Sequence, residues 1–129
     1  NLTKEMLLLA GIDARLTWIG TRDLPYDYSL PSLCVDNHMI CSVMLGDTLL
    51  FLDPTETYAE VNHMAYRLSG KQALIEDGDS YLIKEVPEYN LDENKLYNLI
   101  EFTIEGNELH GKSYLKLSGD SRNRMLNCI

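Results

Sequence analysis

The chain has 129 residues, a hydrophobic share of 45% and a formal net charge of −9. That length suits one domain, or one domain with part of another, and the apolar share can supply a core. The negative charge argues against nucleic acid and anionic membrane surfaces as partners, and no apolar run approaches the roughly 20 residues that cross a bilayer.

The chain opens on Asn1 in what reads as the middle of a helix. It is therefore expected to be a fragment or a processed product, and localisation is not readable from it. Leu2–Ala10 is helix-like, with a thin polar face and Gly11 as a stop. Asp13–Gly20 alternates Ala14, Leu16 and Trp18 with polar residues, which predicts a strand. Arg22–Leu33 carries Pro25, Pro31, Tyr26 and Tyr28. It is an irregular loop, either a plain connection or the lining of a site.

The chain is organised around Asp36–Asp53. Two apolar runs, His38–Leu45 and Thr48–Leu52, flank Gly46-Asp47, a two-residue hairpin signal. That turn pairs Leu45 with Thr48, Val43 with Leu50 and Ile40 with Asp53. His38 then shares a face with Asp53 as a diagonal neighbour, roughly 7–8 Å away at the backbone. An imidazole and a carboxylate can meet there, and such a pair is two-thirds of a nucleophilic triad. A one-residue slip would put them on opposite faces. The alternative is a satisfied polar pair at a strand end.

Pro54-Thr55 breaks the strand beyond Asp53. Tyr58–Leu68 predicts a short helix before Gly70, with His63 as a surface residue. Gln72–Glu76 and Tyr81–Val86 predict two strands joined by a turn at Asp77-Gly78. The acidic residues Glu76, Asp77 and Asp79 lack the spacing of a calcium loop. Three cysteines, Cys34, Cys41 and Cys128, have no CxxC spacing and give neither a disulfide framework nor a zinc motif. No metal or cofactor is expected, and Cys41 reads as a buried strand thiol.

Pro87–Lys95 is polar and acidic and reads as a domain edge. The expected organisation is a core over 1–88, a linker over 89–95, and a hairpin with a short helix over 96–129. In the last part Leu96–Glu105 and Glu108–Leu117 pair around Gly106-Asn107. Gly119–Ile129 starts a helix with Asp120 or Ser121 as N-cap.

Three motifs carry a resemblance: Ala10-Gly11-Ile12 at the helix end, Asn37-His38 at the head of a strand, and Leu52-Asp53-Pro54-Thr55 at the end of the next. With Gly70-Lys71-Gln72-Ala73-Leu74, the chain resembles the bacterial transglutaminase-like proteins common in the Bacteroidetes, which share the papain-type cysteine-enzyme core. The resemblance implies an α+β fold: the C-terminal half of a transglutaminase-like core, with a short helix on an antiparallel sheet, then the start of a β-rich domain. It also implies a Cys-His-Asp triad acting on amide bonds, with His38 and Asp53 as catalytic residues.

In that family the cysteine opens the helix, which places it a few residues before Asn1. A chain without it is expected to be inactive on its own. Cys34 lies four residues before His38 with no helix to activate it, and Cys41 and Cys128 do not fit the role. The parent protein is then a cysteine peptidase or acyltransferase with a protein or peptide substrate. A non-catalytic binding or structural module of a larger exported protein is the alternative. Export to the periplasm or cell surface is implied by the resemblance alone. Homo-oligomerisation stays open.

Overall fold

The structure is a computed structural model that describes residues 1–61 and 63–128. The chain divides into two units, Asn1–Tyr89 and Asn90–Ile129. It is mostly antiparallel β-sheet with two short helices, an α+β chain.

The first unit opens with α1 (Leu2–Leu9). Asn1 caps it by accepting from the Thr3 N–H at 3.0 Å, and Gly11, at φ +76°, supplies the left-handed residue that ends it. Eight residues make a marginal helix in isolation. Tertiary contacts hold it: Leu7 packs with Ile12 against Ala14, Cys41 and Val43, and Lys4 Nζ reaches Glu76 Oε2 at 2.6 Å.

Five strands follow: β1 (Asp13–Ile19), β2 (His38–Leu45), β3 (Thr48–Leu52), β4 (Gln72–Asp77) and β5 (Ser80–Glu85). Their order in the sheet is β3-β2-β1-β4-β5, with every neighbouring pair antiparallel. β1 is central because both of its faces are apolar enough to bury. Its alternation sends Thr17 and Ile19 to one face and Ala14 to the other, all three buried. On the first face Ile19, Ile40, Phe51, Ala73 and Ile75 build the main core. The second face carries the smaller cluster under α1.

The segment 54–70 covers the main core without the helix expected over Tyr58–Leu68. Its described residues form turns; Asn62, within that span, lies outside the described residues. Local turn bonds, such as Ala59 N–H to the Glu56 carbonyl and Leu68 N–H to that of Ala65, alternate with two that tie the segment elsewhere: Arg22 N–H donates to the Arg67 carbonyl at 2.8 Å and Gly70 N–H to that of Val86 at 3.1 Å. Met64, Ala65 and Leu68 are delivered into the core by these turns. The spacing of those three residues imitates a helical stripe, but the backbone closes separate turns and two long-range bonds rather than a continuous helical ladder. His63 is not the expected surface residue. Its Nε2 is enclosed without a hydrogen-bond partner among the described residues, and its ring meets Tyr89 edge-on at 5.4 Å.

The β4–β5 pairing joins Asp77 to Ser80, so the turn residues are Gly78 and Asp79, one position later than the sequence suggests. The second unit holds β6 (Leu96–Glu105), β7 (Glu108–Leu117) and α2 (Gly119–Leu126). The hairpin turns at Gly106-Asn107 as expected. The α2 N-cap is Ser118 rather than Asp120 or Ser121, and Ile129, at the end of the expected helix, lies outside the described residues. Ser118 Oγ accepts from Lys95 N–H at 3.1 Å and donates to the Glu93 carbonyl at 2.7 Å. The expected linker therefore contains a 3-10 turn, Leu91–Glu93, tied to the base of the hairpin. One hairpin face exposes Leu96, Ile100, Phe102 and Ile104 beside Leu109 and Leu115.

Candidate active site

His38 is the first residue of β2. The residue before it is fixed by a reciprocal pair: Thr21 N–H donates to Asn37 Oδ1 at 3.0 Å, and Asn37 Nδ2 donates to Thr21 Oγ1 at 2.8 Å. β2 and β3 pair Leu45 with Thr48, Val43 with Leu50 and Cys41 with Leu52. The next step of that register sets Ile40 against Asp53, directly after β3. His38 is two residues from Ile40, so its ring lies on the same face as Asp53. His38 Nε2 lies 2.8 Å from Asp53 Oδ2.

Asp53 is held from four sides. Oδ2 also accepts from Arg67 Nη2 at 3.0 Å. Oδ1 accepts from the Thr55 N–H at 3.1 Å and the Thr55 hydroxyl at 2.7 Å. The bond to the N–H two residues on is an Asx-turn, which explains why the chain leaves β3 sharply at Pro54. The same guanidinium binds Glu56 Oε1 through Nη2 at 2.8 Å and Nε at 3.2 Å. The Asp53 side chain is 0% exposed, that of His38 16% and that of Arg67 38%. A buried carboxylate needs such a donor set, because burial without it would cost several kcal/mol (~3–5 when one partner of a buried pair is removed).

An ionised carboxylate only accepts, so the His38 proton sits on Nε2 in the neutral ring. That leaves the lone pair on Nδ1, which no described residue hydrogen-bonds. The ring is thus set up as a base with one nitrogen oriented and the other free.

The cysteines of the chain are placed elsewhere. Cys41 lies three residues from His38 and so faces the opposite side of the sheet, among Ala14, Val43 and Leu7. Its thiol is fully buried, and burial raises it above the ordinary thiol range. Cys34 is exposed in a 3-10 turn, Leu33–Val35, too short to supply a helix dipole. Cys128 is an exposed thiol of the second unit. Thr3 of α1 joins Leu52, Asp53, Pro54 and Glu56 in lining a hollow of about 210 Å3, which His38 does not line.

The loop between β1 and β2 is pinned at many points. Lys71 Nζ donates to the carbonyls of Leu24 and Tyr26 at 2.7 and 3.2 Å, and Tyr28 Oη donates to Asp36 Oδ2 at 2.6 Å. Burial, then that bond, pushes the Tyr28 phenol above its ordinary range. Desolvation also raises the Asp36 carboxyl. Pro31 and Leu33 do line a hollow, of about 390 Å3, with Trp18, Leu74 and Tyr81. Those three strand residues belong to the sheet face opposite His38.

Among the described residues no group of three or more His, Cys, Asp or Glu is placed to hold a metal ion, and no helix is long and apolar enough to cross a membrane. Sequence reasoning missed Thr55 and Arg67. The spacing Asp-Pro-Thr carried a usable signal for Thr55, since an aspartate two residues before an N–H is an Asx-turn candidate. Arg67 had none, because it arrives through an irregular segment 14 residues from Asp53. No family model, no curated protein and no solved structure matches this chain.

Proposed function

We propose that His38 and Asp53 are the general base and its orienting carboxylate in a transglutaminase-like cysteine site that acts on amide bonds. The nucleophile would be a cysteine of the parent polypeptide N-terminal to Asn1. The observation that supports this is the 2.8 Å bond from Asp53 to His38 Nε2, which leaves Nδ1 free. Thr3 of α1 and Asp53 also line one hollow.

In this mechanism Nδ1 takes the thiol proton and Asp53 steadies the imidazolium through Nε2. The thiolate sulfur bonds to the amide carbon. The C–N bond then breaks as His38 returns the proton to the leaving amine, and an acyl-enzyme remains. Water or a second amine attacks it, giving hydrolysis or acyl transfer, so a peptidase and an acyltransferase use the same residues.

One observation favours a second reading. Four donors already satisfy Asp53, so the network would also serve a non-catalytic binding or structural module. Alkylation of the parent polypeptide separates the two. An upstream cysteine should react with iodoacetamide at mildly acidic pH, where ordinary thiols are slow, and His38→Ala should slow it at least tenfold. A parent with no such cysteine, or one indifferent to His38→Ala, would leave the module.

A further inference from the structure

We propose that Arg67 is a positioning residue that sets the charge balance of the His38–Asp53 pair. It deepens the function proposed above and rests on His38 acting as a base.

Two N–H donors, one of them a permanent cation, converge on one carboxylate oxygen. His38 Nε2 and Arg67 Nη2 both meet Asp53 Oδ2, at 2.8 and 3.0 Å. Arginine stays charged at every accessible pH, so Asp53 keeps a permanent counter-ion whether or not the ring is charged. With a lone buried aspartate, the imidazole would be its only counter-ion and would be held as imidazolium. Sharing the carboxylate weakens that pull, and a general base must be neutral at its working pH.

Arg67 is built to stay. Glu56 Oε1 accepts from the same Nη2 at 2.8 Å and from Nε at 3.2 Å. The Arg67 carbonyl accepts from the Arg22 N–H at 2.8 Å. The Arg22 side chain is itself fixed, donating to the Ser69 carbonyl at 2.9 Å and lying 4.5 Å above the Tyr66 ring. The charged groups gathered on the His38 side are thus Asp53, Arg67 and Glu56. Asp36, two residues before His38, is turned to Tyr28.

The test needs no nucleophile. Long-range 1H–15N spectra of the ring are followed against pH in the 129-residue chain and its variants. The guanidinium lies within about 6 Å of His38 Nε2. A full charge there is worth about two pH units at an effective dielectric near 20, and partial exposure reduces this to about one. Arg67→Met should therefore hold its second ring proton to about one pH unit higher than wild type. Arg67→Gln, which keeps a donor without charge, should match it if the Met variant fails to fold. Arg67→Lys should recover most of the difference, and Glu56→Gln should move the ring the other way by less. Coincident curves for wild type and a folded neutral variant would overturn the proposal, as would a Lys variant that behaves like the neutral one. An absent upstream cysteine would remove the catalytic proposal and leave these curves unchanged, so the two failures are distinguishable.

Discussion

Asp53→Asn changes one atom of the site and reverses what that atom can do. The wild-type carboxylate accepts four bonds, two on each oxygen. The amide keeps the Thr55 side satisfied only if its oxygen faces Thr55. Its NH2 then faces the His38 Nε2 proton and the Arg67 Nη2 proton, and donors meet donors. His38 can escape by moving its proton to Nδ1 and accepting at Nε2. Arg67, being 38% exposed and still held by Glu56, can turn away. The loss comprises two charge-assisted bonds at a side chain that is 0% exposed, about 1.5–3 kcal/mol each. The new amide bond recovers part of this, so a net cost of about 2–4 kcal/mol is expected. Urea unfolding followed by Trp18, the single tryptophan and a β1 residue, reports on the first unit. The 15N shifts of the neutral ring report the tautomer. A loss below about 0.5 kcal/mol, with the proton still on Nε2, would refute the assignment of Asp53 as a buried acceptor for His38.

Four further outcomes follow from the same structure. Phe51→Ala should cost about 3–5 kcal/mol in the same unfolding assay, because Phe51 is 2% exposed in the main core; a change under 1 kcal/mol would contradict that placement. In the native chain Cys34 and Cys128 should react with a thiol reagent while Cys41 waits for unfolding; mass mapping that finds Cys41 labelled first would reject its burial. Gly46→Ala should destabilise the β2–β3 turn by about 1–2 kcal/mol, since Gly46 sits at φ +59°; an unchanged urea midpoint would refute the left-handed turn. The Lys4 hydrogen bond holds the Glu76 carboxyl below its usual range. Glu76 thus adds stability above the ordinary carboxylate value and loses it as pH falls through the folded value. Glu76→Gln should flatten the acid side of the stability profile, and an acid limb identical to wild type would remove that ion pair from the account.

The candidate site was legible where it depended on a short register. Gly46-Asp47 fixed the pairing of two adjacent strands, and strand parity then brought His38 to the side of Asp53. Both facts are local, within 16 residues, and a two-residue turn leaves little freedom. The turn between β4 and β5 shows the limit of the same reasoning. Asp77-Gly78 and Gly78-Asp79 both satisfy turn chemistry, and pairing along whole strands chose the second.

Sequence by itself determined the strands, the turns at Gly46-Asp47 and Gly106-Asn107, the end of α1 at Gly11 and the meeting of His38 with Asp53, because alternation and turn residues act over a few positions. Tertiary structure decided the backbone around Met64, Ala65 and Leu68, where a helical spacing gave way to turns anchored by hydrogen bonds with Arg22 and Val86. It also decided that Arg67 would complete the Asp53 network, that His63 would be enclosed, and that Pro31 and Leu33 would line a hollow on the face opposite His38. Each of these depends on which distant segment supplies a partner for a buried polar group, and no periodicity in the chain encodes that choice.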